Sequence, residues 1–235
     1  MRARTLALAA ASGATLLATA ALPATALNTA AATNAPTRAE EGSVSAAELL
    51  SKVTTCSQVS SGKYRTDSET AATVPVCGKN GAVFWKADLD VDCDGQTTTA
   101  CNRSTDPWFQ GDTAFHQSNG KPLNAEKLPY VVVPSSSSIW NYSSAGIKGG
   151  GVVAVIYNNK VEYAVVGDTG PSKIIGEASY ATAKALGINP DPATGGAESG
   201  VTYILFKNSQ AKPIESHSAA VSLGDELARQ FVADN

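Results

Sequence analysis

The stretch Val161-Glu-Tyr-Ala-Val-Val-Gly-Asp-Thr-Gly-Pro-Ser-Lys-Ile-Ile-Gly-Glu-Ala-Ser179 decides how the chain is read. It begins as an apolar strand that runs to Gly167, and an acid, Asp168, stands on the turn that follows. A second acid, Glu177, comes nine positions later at the mouth of a short helix. Gly167, Gly170, Gly176 and Pro171 punctuate the segment, as expected where backbone must turn sharply and approach something closely. Two carboxylates displayed on one strand–turn–strand unit are what general acid/base hydrolysis requires, although an ordinary surface turn can hold two acids as well.

Working outward, Val152-Val-Ala-Val-Ile-Tyr157 and residues 161–166 flank Asn158-Asn-Lys160. Asparagine tolerates positive φ, so a β-hairpin with a tight turn is expected. Its nearly unbroken apolar character requires both faces to be covered, as in a compact barrel. Beyond it, residues 179–186 should form a short helix capped by Ser179 and ended by Gly187. A rigid loop over 189–196, a buried strand over 201–206 and an amphipathic helix over 218–232 complete the chain. Upstream, Tyr130-Val-Val-Val-Pro134 reads as a short buried strand closed by proline. Ser45-Ala-Ala-Glu48 is a capping-box pattern that starts a short helix running to about Val53. Trp140 and Tyr142, on the loop 135–151, are either sugar platforms or a lid over the core, with the lid preferred. His116 reads as a structural hydrogen-bonder. No repeat is visible, and the expected architecture is a mostly β, single compact β-barrel domain with a few short helices.

One segment carries a second signal. In Lys86-Ala-Asp-Leu-Asp-Val-Asp-Cys-Asp-Gly95, Asp88, Asp90, Asp92 and Asp94 share one parity, and Ala87, Leu89, Val91 and Cys93 the other. A strand here would bury the second set and display a row of acids. Like charges at that spacing repel by on the order of tenths of a kcal/mol per neighbouring pair in water, so something must offset them. A cationic substrate, a calcium ion, or water and salt are the candidates. Asp90-x-Asp92-x-Asp94-Gly95 starts like a calcium loop, but Cys101 stands where the closing Glu belongs, and no metal site is expected.

Composition narrows the class. The start, with Arg2, Arg4, an alanine-rich apolar run and Ala24-Thr25-Ala26, reads as a secretory signal over 1–26. Residues 27–43 read as a disordered leader, which leaves 44–235 as the folded domain. With Arg2 and Arg4 removed, the basic count falls from 18 to 16 against 21 acids. That balance disfavours nucleic acid as a partner, and no later run is long and apolar enough for a membrane span. Four cysteines in an exported chain suggest two disulfides, and of three connectivities the short-loop one, Cys56–Cys77 with Cys93–Cys101, is favoured. Neither His116 nor His217 has a partner at zinc-site spacing.

Taken together, Asp168-Thr-Gly-Pro171, Ile175-Gly-Glu-Ala-Ser179 and the Tyr130–Pro134 strand resemble the chitosanases of glycoside hydrolase family 75. So do Phe84-Trp-Lys-Ala-Asp-Leu-Asp-Val-Asp-Cys-Asp-Gly-Gln96 and Gly200-Val-Thr-Tyr-Ile-Leu-Phe206. The likeness runs from about residue 75 to 207. It implies an endo-acting, inverting hydrolase of β-1,4-linked glucosamine; with the export signal, a secreted monomer that needs no cofactor is expected. It carries over an essential Asp and Glu onto Asp168 and Glu177. Glu177 is expected as acid and Asp168 as base; swapped roles, or a base from Asp90 or Asp92, stay open. Contacts to polycationic chitosan are assigned to Asp88, Asp90, Asp92, Asp94, Lys173 and Tyr180. A second similarity, of fold alone, is to the double-psi β-barrel of expansins and lytic transglycosylases. That leaves a non-catalytic wall-binding barrel and a lytic transglycosylase as alternatives.

Overall fold

The computed structural model describes residues 41–235; the expected export signal and the leader up to residue 40 lie outside them. The elements follow in the order α1 (Ala46–Lys52), β1 (Ser57–Gln58), β2 (Cys77–Lys79), β3 (Ala82–Asp92), β4 (Tyr130–Pro134), β5 (Val152–Tyr157) and β6 (Lys160–Gly170). Then come β7 (Glu177–Ser179), α2 (Tyr180–Leu186), β8 (Ala197–Phe206) and α3 (His217–Asp234). The sheet order is β1-β2-β3-β7-β4-β6-β5-β8, and β3 also pairs with β8. Six strands therefore close into a barrel, with β1 and β2 as a ribbon on β3. This is the single β-barrel domain with short helices that the sequence led us to expect.

Local chemistry accounts for the elements. Asn158 and Asn159 take φ of 45° and 63°, which makes the two-residue hairpin turn between β5 and β6. Ser45 and Glu48 form the capping box of α1, whose Ser45 side chain accepts from the Glu48 backbone N–H. Ser179 caps α2, and Gly187, at φ 77°, ends it. The disulfides are Cys56–Cys77 and Cys93–Cys101, the expected pairing. Of the stretch expected as leader, residues 41–43 lie within the described part. The Tyr163 N–H donates to Glu41, His217 pairs with Glu41 at 2.7 Å, and Ser43 donates to Asp225.

The apolar strands are buried on both faces, which is why they carry no polar alternation. One face contributes Phe84, Tyr130, Val132, Ala154, Tyr163 and Ile204 to a core shared with α1 and α3. The other contributes Trp85, Val131, Val153, Val166, Tyr203 and Leu205, and packs against α2 and the loop carrying Trp140. Trp140 is buried edge-on against Trp85, so it is core cover. No helix among the described residues is long and apolar enough to cross a membrane.

The alternation read along residues 86–95 needs correcting at one point. The pairing of β3 with β8 slips between Ala87 and Leu89, and Ala87, Asp88 and Leu89 are all buried. A bulge adds a residue and breaks the period of two. Asp88 is thereby buried, while its carboxyl stays within 4.8 Å of that of Asp90.

Candidate active site

Two parallel pairings of the barrel build the site. β4 runs parallel to β6, and a register shift after Val131 brings Val132 opposite Asp168. After Gly170 the chain turns at Pro171, buries Ile175 and enters β7, which runs parallel to β3 with Glu177 opposite Asp90. Gly176, at φ +118°, makes this entry possible: any β-carbon there would collide with the Asp88 carboxyl beneath it. Gly170 is bare for a different reason, since the Glu177 Oε2 lies directly over it. The sequence pattern Asp-x-Gly…Gly-Glu thus returns the chain on itself and sets both acids on one groove.

That groove has a volume of ≈ 610 Å³, within the usual span of small-ligand sites. Its wall carries six acids, Asp90, Asp92, Asp94, Asp106, Asp168 and Glu177, and no Lys or Arg among the described residues. Asp88, Lys173 and Tyr180, expected among the substrate contacts, line no part of it. Asp88 is only 5% exposed under Gly176, Lys173 points to solvent, and Tyr180 lines a separate shallow depression. Asp106, Trp108, Gln110 and the 192–195 loop line the groove without having been singled out. The Trp108-Phe109 pair in a polar, loop-rich stretch is the one sequence signal that could have pointed there.

The acids are held in different ways. Asp168 accepts from the backbone N–H of Ala114 at 2.8 Å and of Thr169 at 2.7 Å. Burial raises its pKa and these two N–H groups oppose the rise. For Glu177, no donor among the described residues reaches the carboxyl. Burial first, then Asp90, Asp168 and Asp94, raise its pKa to about 7. Asp90 and Asp94 are each raised to about 6, mainly by burial. Asp92 stands well above the usual carboxylate range, again through burial and then Asp94. The row is fixed by backbone: Asp92 accepts from the Asp94 N–H at 2.7 Å, and Asp94 from the Gln110 N–H at 2.6 Å. The Tyr130 hydroxyl donates to the Asp94 carbonyl at 3.0 Å.

The calcium-loop reading of 90–94 finds no ring of ligands. Asp90 and Asp92 lie on an extended strand, and Asp92 and Asp94 each use an oxygen on backbone N–H groups. Carboxylate oxygens at metal-ligand spacing, within 4.8 Å of one another, occur instead on Asp67, Asp88 and Asp90, and with a histidine nitrogen on Glu41, Glu162 and His217. The second set is already an ion-paired cluster around His217. His116 pairs with Asp112 at 2.7 Å, the structural role expected of it.

Comparison with known proteins bears on this groove. Endo-chitosanase B of Aspergillus oryzae is 33% identical over 157 residues, covering 60% of this chain and 65% of that protein. The endo-chitosanase of Aspergillus fumigatus is 31% identical over 173 residues, covering 67% and 73%. The chain therefore spans a little under two thirds of the first relative's length. Among solved structures, a Streptomyces papain inhibitor superposes with a TM-score of 0.33 at 17% identity, over 57% of this chain and all of its own. The family described as fungal chitosanase of glycosyl hydrolase group 75 matches residues 89–231, which takes in β4 to β8 and the end of β3, with all six groove acids. On that match the chain belongs to glycosyl hydrolase group 75, the fungal chitosanase family.

Proposed function

We propose that the chain is a secreted endo-chitosanase that cleaves β-1,4-linked glucosamine polymers with inversion, residues 1–26 being its export signal and 44–235 its catalytic domain. The observation that carries this reading is the asymmetry of the two acids. Glu177 has no donor among the described residues and a pKa raised to about 7, so it holds a proton under mildly acidic conditions, whereas at Asp168 two backbone N–H groups oppose the rise that burial causes and favour the ionised form. Glu177 gives its proton to the glycosidic oxygen as that bond to the anomeric carbon breaks. Asp168 takes a proton from the water that attacks the same carbon from the opposite face. The C–O bond formed replaces the one broken, and the two carboxyls exchange protonation states, to be reset through solvent. Inversion needs a separation of about 6.5–9.5 Å between the carboxyls, enough for that water.

The rest of the groove suits a polycation. Each protonated glucosamine brings an ammonium group, which Asp90 and Asp94 can meet as negative charges above about pH 6 and Asp92 as a hydrogen-bond acceptor, with no Lys or Arg among the described residues on the wall. Such contacts are screened by salt, with a Debye length of about 10 Å at 0.1 M. The two disulfides favour an oxidising, extracellular setting. The direct test is incubation with chitosan and chitin. The proposal expects new reducing ends from chitosan, far fewer from fully acetylated polymer, and a KM that rises with ionic strength. No reducing ends would favour a non-catalytic wall-binding barrel, and anhydro-sugar ends from peptidoglycan a lytic transglycosylase.

A further inference from the structure

Only two large apolar side chains among the described residues stand out in solvent, Val59 and Trp108, and Trp108 is 87% exposed. The other tryptophans, Trp85 and Trp140, are buried against each other. An indole left in water forgoes the transfer free energy of a large apolar surface, so its position calls for a physical reason. Trp108 lies on the wall of the acidic groove.

The backbone around it is fixed on both sides. The Trp108 N–H donates to Asp106 Oδ1 at 2.8 Å, and Asp106 is itself buried. Phe109 is sunk in the core. The Gln110 N–H donates to Asp94, and the Gly95 N–H returns a bond to the Gln110 carbonyl at 2.9 Å. Cys93–Cys101 ties the start of the loop to the end of the acid row. A rigid backbone therefore holds out an uncommitted flat ring, which keeps the ordering cost of a contact low.

We propose that Trp108 is a stacking platform for a pyranose ring of the polymer, taking its apolar C–H face in the groove that holds Asp168 and Glu177. The inference deepens the chitosanase reading and rests on it. Recognition then has two parts with different physics. The acids respond to the ammonium group, so their contribution weakens with salt. The indole responds to the ring face, which is the same whether the 2-amino group is free or acetylated. An indole also attracts cations over its face, so an ammonium lying on Trp108 is the competing contact, and salt tells the two apart.

The experiment compares the wild type with Trp108→Ala and Trp108→Phe, reading kcat and KM on chitosan at about 0.05 and 0.5 M salt. The Ala variant should raise KM roughly tenfold, with kcat within about twofold, and Phe should restore most of the loss. The ratio of the Ala and wild-type KM values should be the same at both salt concentrations. An unchanged KM, or a fall in kcat alone, overturns the platform; a ratio that shrinks at high salt overturns it in favour of an ammonium over the ring. Calorimetry of a glucosamine oligosaccharide with Glu177→Gln and with Glu177→Gln/Trp108→Ala supplies a readout without turnover. If the wild type does not cleave chitosan, the chitosanase reading fails, while a weaker oligosaccharide affinity in the double variant still sustains the platform and an equal affinity removes it.

Discussion

Glu177 and Asp168 share a groove, yet they differ in what reaches them: two backbone N–H groups at one carboxylate, none among the described residues at the other. On the proposed reading, that difference decides which of the two carries the proton. Replacing Glu177 by Gln, or Asp168 by Asn, should lower kcat by about 10²–10⁴-fold, the usual contribution of a positioned acid or base. Wild-type kcat should fall on the alkaline side near pH 7, where Glu177 loses its proton. Steady-state kinetics across pH checks both, and an amide variant of full activity would remove that residue from the chemistry. The sequence located these acids because glycines bracket them. It misplaced Asp88 because a bulge after Ala87 buries that side chain, and nothing in the two-residue period announces where pairing will slip. Trp108 stands in a polar, loop-rich stretch of sequence. Its place on the groove was not legible there, since that depends on Gln110 bonding to Asp94 sixteen residues earlier.

At the scale of elements, Ser179 joins β7 to α2 and does more than cap. Its Oγ accepts from the Thr182 N–H at 3.2 Å and from the Tyr130 N–H at 3.0 Å, and donates to the Leu128 carbonyl at 2.9 Å. The group is fully buried. Ser179→Ala would leave those backbone groups without their partner and should cost on the order of 2–4 kcal/mol, more than a surface cap. Chemical denaturation measures it, and a loss of about 0.5 kcal/mol or less would mean that the hub is replaceable by water. Capping residues, the Asn-Asn turn and the proline-closed strand were all readable in sequence, since each is decided by neighbours a few positions away. The parallel pairing of β7 with β3, which sets Glu177 beside Asp90, is a contact across some 87 residues and has no local signature.

For the whole molecule, apolar strands buried on both sides were enough to indicate a barrel, while the strand order was left open by sequence because closure is set by packing. The acidic groove costs that barrel stability. Asp90, Asp94 and Glu177 have folded pKa values raised to about 6, 6 and 7, and buried Asp88 and Glu162 to about 8. A raised folded pKa contributes stability in full below the unfolded value, near 4, and loses it as pH climbs through the folded one. Asp225, by contrast, is lowered, and its contribution is lost only as pH falls below about 4. The Tm should therefore be higher near pH 5 than near pH 8. Glu177→Gln should melt higher than wild type at pH 8 and differ little at pH 5. Thermal melts at the two pH values test this, and a wild type more stable at pH 8 would contradict the raised pKa values of these acids.

On the proposed reading, a water held between Asp168 and the anomeric carbon fixes the stereochemistry of cleavage as inversion. Proton NMR of the products in the first minutes of chitosan cleavage, before mutarotation, reads it directly. The account predicts the α-anomer at the new reducing ends, and the β-anomer appearing first would contradict it.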